Sequence, residues 1–208
     1  NLASRCADAG IPVVLFNRTQ DDERLSAVTS DNELGGQKIA QFLCDNGHTR
    51  IGYIAGWEGA STQRDREKGF TDELKKNGQG LFAREVGNFN LDEARQAARL
   101  MFTASEIPDA VFVANDHMAF AVMDVMRFEL GLKIPDQVSV VGYDDVPVAK
   151  WRAYSLTTVR QRANRMVDET VTILIDSIEN NSTKSRRIKI DGPLILRGSA
   201  KILDNYGV

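Results

Sequence analysis

Cysteine is scarce in this sequence. The 208 residues include two cysteines, Cys6 and Cys44, which lie far apart and show no CxxC spacing. A disulfide scaffold or a zinc site is therefore not expected, and a reducing cytoplasm fits this cysteine usage.

Long apolar runs are also missing. No run approaches the roughly 18 residues of a membrane span, and no charged leader with an apolar region opens the chain. We therefore expect neither a membrane span nor an export signal. The formal net charge is −3, whereas domains that bind nucleic acid usually show a strongly basic patch. We do not expect this chain alone to bind DNA.

The common catalytic motifs are absent as well. The sequence contains no GxSxG, GxxxxGKS/T, GxGxxG or HExxH segment. Its histidines, His48 and His117, are far apart and have no adjacent Cys or carboxylate pattern for a metal. Asp144 and Asp145 are neighbours at a strand end, where adjacent side chains point in divergent directions, so an acid/base pair is disfavoured. We expect no enzyme activity, no metal and no cofactor.

One stretch, residues 110–145, is typical of a strand, a helix and a second strand. The runs 110–114 and 138–142 are rich in Val and lack polar alternation, as in strands buried on both faces of a parallel sheet. Strands and helices alternate from residue 28 to 142. This rhythm predicts an α/β fold with doubly wound parallel sheets.

The helix of this stretch is apolar over most of its circumference. Between Met118 and Leu130 only Asp124, Arg127 and Glu129 are polar, whereas a surface helix shows a single apolar stripe. Two interpretations stand about even on the residues alone: a helix buried deep inside one chain, or a helix at a subunit interface.

The rhythm changes after Asp145. An irregular segment, a short strand, a long helix and two final strands indicate a second lobe that is reached by crossovers. We predict a remnant of an N-terminal lobe at 1–26, a C-terminal lobe at 27–145, a crossover with an N-lobe strand and helix at 146–192, and a return to the C-terminal lobe at 193–208. The chain begins with Asn1 and not with Met, so we expect that an upstream piece has been removed and that the N-terminal lobe is incomplete.

Polar and aromatic residues follow the predicted strands where each one ends. The group comprises Trp57, Thr62, Arg66, Asn88, Phe89, Asn115, Asp116, Tyr143 and Asp144. Open parallel sheets hold ligands just outside the carboxyl ends of their strands. Carboxylate, guanidinium and aromatic groups together suit a neutral polyhydroxylated ligand. Each residue also has a structural interpretation: Asn115 is as well explained by a helix N-cap, and Asp144 by a turn.

Five motifs resemble one family throughout the chain. They are SDNxxGG at 30–36, GHTRIGYIAG at 47–56, REKGF at 66–70, VFVANDHMAFAVM at 111–123 and IPDQVSVVGYDDVPVA at 134–149. Together they resemble the effector-binding core of the LacI/GalR family of bacterial transcription regulators. The resemblance implies a two-lobed fold like that of periplasmic sugar-binding proteins, with a ligand between the lobes whose binding repositions DNA-binding heads.

The resemblance also implies particular residues and partners. The effector, expected to be a sugar or sugar derivative, would contact Asn17, Thr62, Arg66, Phe89, Asn115 and Asp144. A homodimer would form through the apolar helix, at Met118, Val122 and Met126. The helix-turn-helix and hinge helix of the family are not present in this chain, so operator DNA would be bound only by a missing N-terminal domain.

A second class of protein shares this fold. A periplasmic solute-binding protein of an ABC transporter would have the same pocket, but it would be monomeric and exported. The residues leave this alternative open. An enzyme is the least favoured of the three hypotheses, because the sequence shows no set of catalytic residues.

Overall fold

The computed structural model of the chain describes residues 2–180 and 184–203. It divides into two compact units, Asn1–Asn32 with Arg162–Gly192 and Glu33–Gln161 with Pro193–Val208. Each unit is described by itself.

The elements alternate along the chain much as the sequence predicts. The strands are β1 (Val14–Phe16), β2 (Ser26–Ser30), β3 (Ile51–Ala55), β4 (Ala83–Val86), β5 (Ala110–Val113), β6 (Ser139–Asp144), β7 (Thr157–Arg160), β8 (Arg187–Ile190) and β9 (Leu194–Ile195). The helices are α1 (Leu2–Asp8), α2 (Asn32–Asp45), α3 (Ser61–Lys76), α4 (Leu91–Phe102), α5 (Asp116–Asp124) and α6 (Ala163–Glu179). A π-helical turn, Val125–Glu129, continues α5, and a 3₁₀ turn, Pro147–Lys150, follows β6.

The smaller unit contains a three-stranded parallel sheet in the order β1-β2-β8. Its middle strand, β2, is entirely buried. The predicted C-terminal lobe begins at residue 27 and so includes residues 27–30 of this strand. The structure corrects this, because β2 pairs with β1 and β8 and therefore belongs to the smaller unit.

The larger unit contains a six-stranded sheet in the order β4-β3-β5-β6-β7-β9. All of its neighbours run parallel except β9, which is antiparallel to β7. From β3 the chain first adds β4 on one side and then β5 on the other. Because parallel crossovers are right-handed, this reversal sends successive helices to opposite faces of the sheet. The predicted fold class, α/β with doubly wound parallel sheets, is confirmed.

Strand β7 is also placed differently from the prediction. The sequence analysis assigned 146–192 to a crossover with an N-lobe strand and helix, but β7 pairs with β6 in the larger sheet. Only the segment from Arg162 to Gly192, with α6 and β8, lies in the smaller unit. The β7 residues Thr157 and Thr158 are polar yet buried, so their local pattern does not reveal which sheet they join.

The apolar helix is covered by its own chain. Met118, Val122 and Met126 are completely buried in the core of the larger unit. A side chain without accessible surface cannot contact a second subunit, so the prediction of an interface at these three residues is corrected. The other interpretation, a deeply buried helix, accounts for their apolar character.

Helices α2 and α3 touch through two glycines. A Cβ atom at Gly36 would overlap the carbonyl oxygen of Arg66, and a Cβ atom at Gly69 would overlap the carbonyl oxygen of Glu33. Glycine in a helix interior costs about 0.8–1 kcal/mol relative to alanine. Gly36 of the SDNxxGG motif and Gly69 of α3 therefore allow the two helices to pack closely. Among the described residues, no helix has both the length and the apolar character needed to cross a bilayer.

We predict that Gly69→Ala destabilises the protein by about 1–3 kcal/mol, the usual cost of overpacking, although alanine is the better helix former. Urea unfolding measures the change. Gly80→Ala is the control, because a Cβ atom there meets nothing within 4 Å. An unfolding midpoint for Gly69→Ala at or above that of the wild type would contradict the contact.

Candidate functional site

The candidate site lies at the carboxyl ends of β3, β5 and β6 in the larger unit. The order β4-β3-β5 places the reversal of the sheet at β3. Crevices at such reversals are where open α/β sheets bind ligands. Arg66 and Asp144 meet at this edge, as the sequence analysis expected.

Arg66 is the centre of the site. It lies in the second turn of α3, and only 3% of its surface is exposed. Its Nη1 donates to the carbonyl oxygen of Ala114 at 2.6 Å, and its Nη2 donates to Oδ1 of Asp144 at 3.2 Å. Its Cζ lies 3.7 Å from the centroid of the Tyr143 ring. Its burial against these three groups shows that Arg66 is not an exposed surface arginine.

The two carboxylates after β6 have separate partners. Asp144 and Asp145 have φ values of 121° and 57°, which residues other than glycine rarely adopt. Asp144 Oδ1 also accepts from Gln161 Nε2 at 2.6 Å. Asp145 accepts from Arg160 Nε and from Arg197 Nη2, each at 2.6 Å. Each carboxylate is thus paired with guanidinium groups of its own, and the pair does not have the arrangement of an acid and a base sharing one substrate.

Phe89 and Thr62 lie at the neighbouring strand ends. Phe89 has a φ of 57°, and its ring packs on Gly56, where a Cβ atom would overlap it. The ring is half-buried and contacts the core, so it is less exposed than its position in a turn suggests. Thr62 is buried in the first turn of α3, four residues before Arg66. Residues four apart in a helix lie on the same side.

Asn115 caps α5. Its Oδ1 accepts from the backbone N–H of Met118 at 3.0 Å. An N-cap satisfies a helix donor that otherwise lacks a partner. Of the two interpretations of Asn115, the structure shows the cap, and contact with an effector remains a prediction.

Asn17 lies in the smaller unit, immediately after β1, with a φ of 64°. Its backbone N–H donates to the carbonyl oxygen of Val28 at 2.9 Å. Among the described residues its buried Oδ1 has no hydrogen-bond partner. Its predicted contact with an effector stays a prediction.

Asp116 is a structural residue whose role the sequence analysis missed. Its carboxylate is completely buried and accepts from the Thr158 hydroxyl at 2.7 Å and from the Val146 N–H at 2.9 Å. Burial raises the pKa of Asp116 to about 7, against the lowering effect of those two hydrogen bonds; the nearby Asp144 and Asp145 raise it further. A Cβ atom at Gly142 would overlap this carboxylate. Asp116 of the VAND segment therefore packs against Gly142 of the GYDD segment, and neither motif alone predicts this contact.

Gln63 is a second residue that the sequence did not single out. It is completely buried, and its Oε1 accepts from the Tyr53 hydroxyl at 2.8 Å and from the Gly56 N–H at 2.7 Å. Its Nε2 donates to Glu67 at 2.8 Å. Gln63 therefore fixes the end of β3 on which the Phe89 ring packs.

Of the two histidines, His48 lies away from this edge of the sheet. His48 Nδ1 lies 3.2 Å from Oδ1 of Asp109, which precedes β5 and so lies at the opposite, amino end of the strands. Burial lowers the pKa of His48. His117 is exposed. Within residues 2–180 and 184–203, no group of three or more His, Cys, Asp or Glu side chains is arranged to hold a metal ion.

Comparison with known proteins defines the class to which this fold belongs. The profile of the periplasmic binding protein-like domain matches residues 40–200, and the chain belongs to that family. Among its relatives, the transcriptional regulator CelR of Thermobifida fusca is 33% identical over 92% of this chain and 57% of its own length. The chain spans about three fifths of the length of the curated relatives it matches.

Solved structures give the same result. The CelR–cellobiose complex has a TM-score of 0.86 at 33% identity, over 94% of this chain and 61% of that one. The lac repressor dimer bound to operator and the anti-inducer ONPF has a TM-score of 0.87 at 25% identity, over 96% and 68%. These relatives are LacI-type regulators, so the resemblance read from the five motifs is confirmed.

We predict that Asp116 makes the stability of the protein depend on pH. Between about pH 4 and pH 7 the folded protein retains a proton that the unfolded chain has released, because the pKa of Asp116 rises from 3.8 to about 7 on folding. The free energy of unfolding therefore falls as the pH rises through this interval, by at most about 1.4 kcal/mol per pH unit from this group.

Urea unfolding at pH 5, 6, 7 and 8 measures this dependence. Asp116→Asn removes this contribution. The unfolding free energy of the wild type should therefore fall relative to that of the variant as the pH rises. Asp136→Asn, at an exposed carboxylate, should keep the wild-type slope. Parallel curves for wild type and Asp116→Asn would rule the effect out.

Proposed function

We propose that this chain is the effector-binding and dimerisation part of a cytoplasmic LacI-type transcription regulator, and that its effector is a neutral, hydroxyl-rich small molecule such as a sugar or sugar derivative. The observation that carries the proposal is the ion pair of the buried Arg66 with the half-buried Asp144 at the carboxyl edge of the larger sheet.

The chemistry of this pair supports a neutral ligand. A guanidinium offers a fork of N–H donors, and a carboxylate offers only acceptors. A hydroxyl group both donates and accepts, so neighbouring hydroxyls of a sugar can bond to both. The opposite charges of Arg66 and Asp144 already compensate each other, and an anionic ligand would approach the Asp144 carboxylate at a cost. Among the relatives, CelR has been solved with cellobiose.

Three further side chains of the larger unit complete the proposed contacts. Phe89 would cover the apolar C–H face of the ligand ring, and Thr62 would add a hydroxyl beside Arg66. Asn115 would contact the ligand through its amide nitrogen, since its oxygen caps α5.

The ligand is bound and not transformed in this proposal. The relatives are transcriptional regulators, and the two carboxylates after β6 are held by separate guanidinium groups. The same relatives disfavour the alternative of a periplasmic sugar-binding protein of an ABC transporter. Operator DNA would be bound by parts of the whole protein outside this chain, in keeping with the net charge of −3.

A homodimer would use the exposed continuation of α5 in place of its buried face. Phe128, in the π-helical turn, is 81% exposed, and Leu100 on α4 is 55% exposed. Their chain neighbours Glu129 and Arg99 form an ion pair with an N–O distance of 2.7 Å, so α4 and the π-helical turn lie side by side at this surface. Exposed apolar patches of this kind mark interaction sites. The lac repressor structure is a dimer.

We predict that Arg66→Ala and Asp144→Ala each weaken effector binding by at least about 30-fold, since removing one partner of a buried charge pair costs 2–5 kcal/mol. Calorimetric titration with neutral mono- and disaccharides, uronic acids and nucleobases measures the loss. Arg95→Ala and Asp136→Ala, which change charges outside the proposed site, are the controls. Unchanged affinity in both site variants, or tighter binding of uronic acids than of neutral sugars, would refute the site as described.

We predict that Phe128→Glu raises the dissociation constant of the homodimer about 10-fold or more, because a carboxylate would be desolvated at the contact. Sedimentation velocity across a concentration series measures it. Leu91→Glu is the matched control at another exposed apolar residue, in the first turn of α4. If Phe128→Glu and Leu91→Glu sediment alike, Phe128 is not at the interface.

A further inference from the structure

The geometry points to Tyr143 as the positioning residue of the effector site: its buried ring holds the Arg66 guanidinium in place, and Gly35 of α2 holds the ring. The inference deepens the proposed function and rests on it.

The contact between Tyr143 and Arg66 is direct. The Cζ atom of Arg66 lies 3.7 Å from the centroid of the ring, which is the distance of a guanidinium lying over an aromatic face. Such contacts are strongest when the cation is removed from water, and Arg66 is 3% exposed. The N–H groups of the guanidinium donate to acceptors outside the ring.

Two of those N–H directions are set by the sheet. The Ala114 carbonyl oxygen accepts from Nη1, and the Asp144 carboxylate accepts from Nη2. Ala114 directly follows β5, and Asp144 ends β6 one residue after Tyr143. The ring, the carbonyl and the carboxylate therefore belong to adjacent strand ends and hold one guanidinium between them.

The ring itself has no freedom to move away. Tyr143 is completely buried, and its backbone pairs with Val159 of β7. A Cβ atom at Gly35 would overlap the Tyr143 hydroxyl and would lie 2.6 Å from Cε2. The backbone of α2 is thus pressed against the ring, which explains why the first glycine of SDNxxGG is a glycine within a helix.

Tyr143→Leu tests the inference, since leucine fills part of the space but has no aromatic face. We expect it to weaken the binding of neutral mono- and disaccharides, cellobiose and ribose among them, about 10-fold in calorimetric titration. Tyr143→Phe keeps the face and should bind within about 3-fold of the wild type. In an Arg66→Ala background, Tyr143→Leu should have no further effect, because its action passes through Arg66.

A spectroscopic readout makes the test independent of the ligand. With ¹⁵N-labelled arginine, the Nε–H resonance that disappears in Arg66→Lys should be shifted upfield by the ring current. The shift should persist in Tyr143→Phe and vanish in Tyr143→Leu. Phe42→Leu, at another completely buried aromatic residue, should lower stability without moving the resonance or the affinity.

The outcomes separate the two proposals. If the wild type binds none of the sugars, the proposed function fails, and the Arg66 resonance alone decides whether Tyr143 fixes the guanidinium. If the wild type binds but Tyr143→Leu binds as tightly, or its Arg66 resonance is unchanged, the positioning role of Tyr143 is overturned. An equal loss of affinity in Tyr143→Leu with and without Arg66 would also overturn it.

Discussion

A buried guanidinium imposes the central constraint on the larger unit. A cation removed from water is tolerated only where hydrogen bonds and opposite charge compensate it. For Arg66 the compensation comes from Ala114, Tyr143 and Asp144. These groups belong to the ends of β5 and β6, so they reach one point only if α3 crosses the sheet next to those strands. This contact depends on the strand order β3-β5-β6, on the left-handed backbone at Asp144 and on the glycines of α2 and α3.

Much of the fold could be predicted because its local patterns agree with its final environment. Valine-rich runs form β5 and β6, and helices end near left-handed glycines such as Gly47 and Gly78. The predicted lobe boundaries were wrong for strands that are buried by segments distant in the sequence. Strand β2 contains serine and threonine and is buried by β1 and β8. The sequence of β7 is compatible with either sheet, because a four-residue segment does not specify the strands with which it pairs. The apolar helix α5 was equally compatible with a core and with an interface.

The site could be predicted in part for the same reason. Arg66 and Asp144 follow strand ends, and parallel strands bring their carboxyl ends to one edge. Their distance depends on the packing of α3, which no spacing in the sequence encodes. The structural roles of Asp116, which was grouped with the other strand-end residues, and of Gln63, which was not singled out, were missed because polar residues at such positions are usually solvated, whereas both are completely buried here. The nearest available clue was Gly142, whose missing side chain leaves room for the Asp116 carboxylate.

The contact of Gly36 with the Arg66 carbonyl has a consequence for how such a protein can vary. Helix α2 supplies none of the side chains of the proposed site, yet its backbone packs against both Arg66 and Tyr143. If the proposed site binds an effector, substitutions in α2 would change the affinity for it while every side chain of the site stays the same. Related chains with identical site residues would then differ in their sensitivity to the effector.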